Sequence, residues 1–206
     1  MGQNNLGQEH NVEHSTSTGL DNRKMLMWAF LGSDFMFFGA LIATYLVYYG
    51  SSAPGTPVPQ DILDIPVTSV STFVLLMSSL NMVLAYNAIS KGNVKVFRVW
   101  ILGTILLGIT FLGFQTYEFR EFVVHYNLTP RTNLFGTTFF VLTGLHGAHV
   151  TVGVVWLLSI FLLSFRYPMG RKDALNVDLA ALYWHFVDIV WIVIFTVVYL
   201  IGVSLE

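Results

Sequence analysis

The chain has 206 residues and a net charge of −2, and it is 54% hydrophobic, 15% aromatic and only 11% charged. Soluble domains usually carry about a quarter charged residues, so this composition, with a mean hydropathy of +0.65, excludes an ordinary soluble globular protein. The sequence contains no cysteine, which excludes disulfides, thiolate chemistry, iron–sulfur ligation and haem attached through a CxxCH motif.

Five apolar segments are each long enough to cross a membrane, which takes about 20 residues in a helix. They cover residues 25–49, 67–89, 96–117, 134–165 and 179–203. Residues 1–24 are polar and show no signal-peptide core or cleavage site, so we expect an uncleaved, disordered tail before a membrane domain at 25–206. No connecting segment is long enough to form a second domain. The sequence therefore predicts an all-α integral membrane bundle of five transmembrane helices.

The lysines and arginines are unevenly divided between the two ends of the predicted spans. Eight of them fall at one end: Arg23, Lys24, Lys91, Lys95, Arg98, Arg166, Arg171 and Lys172. Only Arg120 and Arg131 fall at the other. By the positive-inside rule, this bias predicts a cytoplasmic N-terminus and an external C-terminus.

Ionisable and amide side chains inside the spans are the candidates for function, because such groups are costly in lipid and normally face a protein interior, a cavity or each other. They are Asp34, Gln115, Glu118, His146, His149, His185 and Asp188. His146 and His149 are three residues apart, as are His185 and Asp188, so each pair shares one helix face. Asp34 has no basic neighbour in sequence, which predicts that it is protonated, paired with another helix or open to a cavity.

A metal site in the bundle is the sharpest reading of these residues, but their spacing argues against it. The recurring di-iron element is Glu-x-x-His on two helices, and the spans contain none; the His146–His149 pair also lacks the glutamate of the HExxH motif. Two histidines on one helix face cannot be opposed axial ligands of one haem. We therefore expect interhelical hydrogen bonding from these side chains and no cofactor. The many aromatic residues of the first span are read as packing and interface residues.

Four ordered blocks carry a family resemblance that covers the chain from Trp28 to its C-terminus. They are residues 32–38 (GSDFMFF), 115–119 (QTYEF), 135–150 (FGTTFFVLTGLHGAHV) and 183–191 (YWHFVDIVW). Together they resemble subunit III of the haem-copper respiratory oxidases, the cytochrome c and quinol oxidases.

The resemblance implies an accessory subunit without a redox cofactor or catalytic residue of its own. Haems and copper would belong to partner subunits I and II, with a small subunit IV as a further candidate partner. The chain would bind phospholipid and support the stability, proton uptake and oxygen access of the proton-pumping catalytic subunit. In this reading Glu118 ties the third helix to the fourth through His146 or His149, and His185 and Asp188 secure the fifth.

The chain departs from the family pattern in three places. Longer members have seven spans, and this chain corresponds to the last five, so another subunit would supply the missing wall of the lipid cleft. Asp34 stands where the family often has glutamate. Arg166 lies about one helical turn beyond the family's lipid-headgroup arginine, so a lipid contact there is not a residue-for-residue match.

A small proton-coupled transporter is the alternative from a different class, with the intramembrane carboxylates and histidines forming a relay. Transporters commonly show paired halves and broken helices, and five unpaired spans without a mid-span proline offer neither. The lack of a presequence favours the bacterial cytoplasmic membrane over the mitochondrial inner membrane. The sequence does not distinguish cytochrome c from quinol as the electron donor.

Overall fold

The computed structural model describes residues 21–49 and 64–201. Most of the predicted tail, the first connecting segment at 50–63 and the C-terminal residues 202–206 lie outside the described residues. Five long helices account for most of the described chain: α1 (Asn22–Tyr48), α2 (Ile65–Ser90), α3 (Val94–Val124), α4 (Leu134–Arg166) and α5 (Ala174–Ile194). A short 3₁₀ turn, Arg171–Asp173, precedes α5, and a π-helical segment, Phe195–Ile201, continues it.

All five helices are long and apolar enough to span a membrane, which confirms the predicted all-α architecture. All five helices start before or at the first residue of the predicted apolar span, and an asparagine or aspartate side chain caps each of the first four. The side chains of Asp21, Asp64, Asn93 and Asn133 each accept a hydrogen bond from a backbone N–H in the first turn. α3 continues seven residues past Tyr117, the last residue of the predicted span, because Arg120 and Glu121 end the apolar run without breaking the helix.

The fifth helix is the centre of the bundle. It packs against α1, α2 and α4, while α3 lies between α2 and α4. In the most apolar stretch of each span, 50% of the residues are buried in α5 and its flanking turns, but only 17% in α1. α1 therefore presents most of its surface outward.

Trp184 on α5 fills a slot formed by glycines on two other helices. A Cβ atom at Gly108 of α3 would lie 2.7 Å from Trp184 Cη2, and one at Gly153 of α4 would lie 2.9 Å from Cε3. Neither position has room for a side chain unless the indole moves. The indole Nε1 also donates to Ser78 Oγ of α2 at 3.0 Å, so one buried side chain contacts α2, α3 and α4.

We expect Gly108→Ala to destabilise the bundle, because the added methyl group collides with the Trp184 ring. Overpacking of this kind costs about 1–3 kcal/mol. Gly113→Ala on the same helix is the matched control, since nothing lies within 4 Å of a Cβ there. The measurement is the unfolding free energy of both variants in mild detergent. Equal stability of the two variants would contradict the close packing of Trp184 against Gly108.

Candidate functional site

Hydrogen bonds between α5 and α2 form a ladder along the middle of the bundle. Besides the Trp184–Ser78 bond, the indole Nε1 of Trp191 donates to Thr72 Oγ1 at 2.9 Å. A third rung lies next to the Trp184–Ser78 bond, where His185 Nδ1 lies 3.1 Å from Ser79 Oγ. Each rung pairs a large side chain of α5 with a small hydroxyl on α2, so the two helices satisfy their polar groups while packing closely.

Asp188 lies one turn after His185 and is 5% exposed. Its carboxyl group lies beside Ser79, the same hydroxyl that faces His185. The Oδ1 atom has no hydrogen-bond partner among the described residues. His185 and Asp188 thus both contact Ser79 of α2, and one buried carboxyl oxygen of Asp188 remains without a partner among the described residues.

Asp34 on α1 meets His149 on α4. The carboxyl oxygen Oδ1 lies 3.4 Å from His149 Nε2. His149 Nδ1 lies 2.8 Å from the carbonyl oxygen of Leu145, which can only accept, so Nδ1 carries a proton. Of the three environments expected for Asp34, the structure shows pairing with another helix.

The fifth helix, α5, also contacts the Asp34–His149 pair. The hydroxyl of Tyr183 donates to the carbonyl oxygen of His149 at 3.0 Å, and the Phe38 ring lies edge-on to the imidazole with centroids 5.0 Å apart. The Asp34–His149 pair is therefore enclosed by α1, α4 and α5.

Glu118 does not bond to His146 or His149, and that expected pairing is wrong. Its Oε1 atom accepts from Thr68 Oγ1 of α2 at 2.9 Å and from the Tyr199 hydroxyl at 3.0 Å. Glu118 therefore joins α3 to α2 and to the end of α5.

The π-helical segment explains how Tyr199 reaches Glu118. In a regular α-helix, a residue eight positions after Trp191 would point about 80° away from it around the axis. The wider π turn advances less per residue, and Tyr199 remains near Trp191, with ring centroids 6.4 Å apart. Apolar periodicity in the sequence contains no signal for this change of register.

Gln115 makes the α3–α4 connection that was expected of Glu118. Its Nε2 donates to the carbonyl oxygen of Thr143 at 2.7 Å. The amide lies against Gly147, where a Cβ would be 2.6 Å from Gln115 Oε1. Gly147, in the 135–150 block, thus makes room for a side chain from α3.

His146 is wholly buried, and neither ring nitrogen has a hydrogen-bond partner among the described residues. The imidazole stacks on Trp191 at 4.8 Å and meets the edge of Phe111 at 5.9 Å. Its expected role as an interhelical hydrogen-bonding group is therefore wrong. The ring packs as an aromatic side chain between α3 and α5.

At the basic end of the bundle, Arg166 is exposed in the last turn of α4. Arg98 of α3 makes the ordered contacts there: it donates to the hydroxyl and carbonyl oxygens of Ser164 and lies 4.1 Å from the centroid of the Phe165 ring. A guanidinium group in this position satisfies a carbonyl oxygen that the end of a helix leaves unpaired. In the sequence Arg98 is evident only as one of the basic residues that predict topology, and no sequence pattern indicates this contact.

The candidate residues are thus divided among separate contacts. Asp34 pairs with His149, Glu118 with Thr68 and Tyr199, and His185 with Ser79. Within the described ranges, no three His, Cys, Asp or Glu side chains converge as a metal site would require. Each of these contacts connects two or three neighbouring helices.

We expect Tyr199→Phe to destabilise the bundle by about 0.5–2 kcal/mol, because it removes a buried hydrogen bond to Glu118. Tyr45→Phe is the matched control, since the hydroxyl of Tyr45 is buried and has no partner among the described residues. Removing that hydroxyl should be neutral or slightly stabilising. Unfolding free energies in detergent would compare the two. A larger loss in Tyr45→Phe would refute the assignment.

Comparison with known proteins identifies the family. The model of the family "Cytochrome c oxidase subunit III" matches residues 6–203. Among similar proteins, cytochrome c oxidase subunit 3 of Alkalihalophilus pseudofirmus is 39% identical over 198 residues, covering 96% of this chain and 95% of the relative. Cytochrome c oxidase subunit 3 of Bacillus subtilis is 36% identical, with 88% and 87% covered.

The name of a third relative specifies a quinol oxidase and not a cytochrome c oxidase. The probable quinol oxidase subunit 3 of Staphylococcus saprophyticus is 35% identical over 179 residues, covering 87% of this chain and 89% of the relative. These matches confirm the resemblance drawn from the four sequence blocks. The chain belongs to the cytochrome c oxidase subunit III family, the third subunits of haem-copper respiratory oxidases.

Proposed function

We propose that the chain is a non-catalytic accessory subunit of a proton-pumping haem-copper terminal oxidase in aerobic respiration. Its contribution is to bind lipid and to support the stability, proton uptake and oxygen access of the catalytic subunit. The observation that carries this proposal is that intramembrane polar groups connect helices. Asp34, Gln115 and Glu118 each contact a helix other than their own. These contacts suit a fixed scaffold beside a catalytic chain.

The electron-transferring groups in this proposal are haems and copper held by subunits I and II, with a small subunit IV as a further partner. α1 supplies the natural face for such a partner, because it is the least buried of the five helices. A partner helix there would complete the lipid cleft that longer family members close with two additional spans. Arg166, exposed at the basic end, would contact a phospholipid headgroup.

The proposed orientation places the basic ends of the helices in the cytoplasm of a bacterium. Lys24 of α1 pairs with Asp178 of α5 at 2.7 Å, and the Arg171 side chain lies over the α2–α3 turn at Gly92. These contacts bring the starts of α1 and α5 and the α2–α3 turn, which all carry basic residues, to one end of the bundle. The positive-inside rule assigns that end to the cytoplasm.

A proton-coupled transporter would need a connected polar path across the bundle. His146, which would be a central member of such a path, is enclosed by Trp191 and Phe111 and has no hydrogen-bond partner among the described residues. The contacts of Asp34, Glu118 and His185 are made on three different sets of helices. Their separation favours the accessory role.

We expect the chain, solubilised in mild detergent, to co-purify with a haem-bearing partner and to retain no haem after it is separated. Reduced-minus-oxidised spectra of the complex and of the isolated chain provide the measurement. Stoichiometric haem in the isolated chain would sink the proposal. So would purification of the chain alone as a monomer that conducts protons after reconstitution.

A further inference from the structure

A groove runs between α1 and α5 on the outer surface of the bundle and has a volume of about 320 Å³. Trp28 and Phe35 line it from α1, and Phe186 and Ile189 line it from α5. Gly32 forms part of its wall, and nothing lies within 4 Å of a Cβ at that position. The volume is at the lower end of the range of about 300–1,000 Å³ typical of small-molecule sites.

His185 gives this groove a hydrogen-bonding group. Apart from the Trp28 indole, the other lining residues are apolar or glycine. The imidazole is half-buried, and its Nδ1 atom is held by Ser79. A ring fixed through one nitrogen has a second, Nε2, with which to bind a ligand. Depending on the tautomer, Nε2 donates to a carbonyl oxygen or accepts from a hydroxyl group.

The depth of His185 restricts the ligand. The residue lies eleven positions after the start of α5, about 16 Å along the helix at a rise of about 1.5 Å per residue. Gly32, ten positions into α1, lies at a similar height. The predicted apolar spans begin at residues 25 and 179, seven and six residues before Gly32 and His185, so both lie about 9–11 Å inside a hydrocarbon core that is about 30 Å thick. The polar groups of phospholipids lie at the membrane surface, so they cannot supply the partner of His185.

We propose that the groove binds a lipid-soluble isoprenoid quinone, with one ring oxygen hydrogen-bonded to His185. A quinone ring is uncharged, so it can enter the hydrocarbon core, where a fatty-acid carboxylate would be costly. Its flat ring fits among Trp28, Phe35 and Phe186, and its apolar tail extends into lipid. Because His185 can donate or accept, the site suits both the quinone and the quinol form. This binding function goes beyond the accessory role and rests on the groove alone.

The test is photolabelling of the purified complex with an azido-substituted benzoquinone carrying a short isoprenoid tail, followed by peptide mapping. We expect the label to concentrate on the groove residues of α1 and α5. Gly32→Leu should reduce this labelling by about tenfold, because the new side chain occupies the groove. Gly39→Leu is the matched control: it lies two turns further along α1, is equally free of neighbours, and does not line the groove.

Competition in the unmodified complex distinguishes a quinone site from an acyl-chain site and does not depend on the folding of any variant. Excess unlabelled quinone should suppress labelling of the groove, whereas the same excess of phosphatidylglycerol should leave it unchanged. Equal displacement by the phospholipid would overturn the proposal. Label spread evenly over the exposed apolar residues would also overturn it, as would labelling that survives in an assembled Gly32→Leu complex.

Discussion

Two indole N–H groups on α5 donate to hydroxyl groups on α2 at a depth where a membrane offers no water. An unpaired polar group there is costly, so the Trp184–Ser78 and Trp191–Thr72 bonds fix the rotation and height of α5 relative to α2. The remaining helices are arranged around the same rings. α3 and α4 approach through Gly108 and Gly153, whose missing side chains accommodate Trp184.

With α5 held in this way, the ionisable residues fall into different local environments. The Asp34–His149 pair links α1 to α4 at the site where Tyr183 of α5 also bonds. Glu118 connects α2, α3 and the π-helical segment after α5 near the C-terminal end of α3. Charge-bearing groups that look like an active site in the sequence are, in three dimensions, attachment points between neighbouring helices. This arrangement suits a subunit whose partner performs the chemistry.

Much of this organisation could be predicted from sequence. Long apolar segments predicted five membrane helices, and the four ordered blocks predicted the family. The pairing of side chains was harder, because it depends on helix rotation. Glu118 was assigned to the wrong helix, since no periodic pattern reveals the π turn that presents Tyr199. His146 was expected to bond, but the nearby rings of Trp191 and Phe111 come from distant parts of the chain.

The most direct test of the structural role is to compare His149→Ala with His125→Ala in the assembled oxidase. His149 pairs with Asp34 inside the bundle, whereas the His125 side chain is 65% exposed at the end of α3. The measurement is the initial rate of oxygen consumption per haem, together with the yield of complex and its lifetime during turnover. We predict that His149→Ala lowers the yield or the lifetime of the complex but retains its initial rate. His125→Ala should leave the yield, the lifetime and the initial rate unchanged. A fully assembled His149→Ala complex with no initial activity would contradict the account.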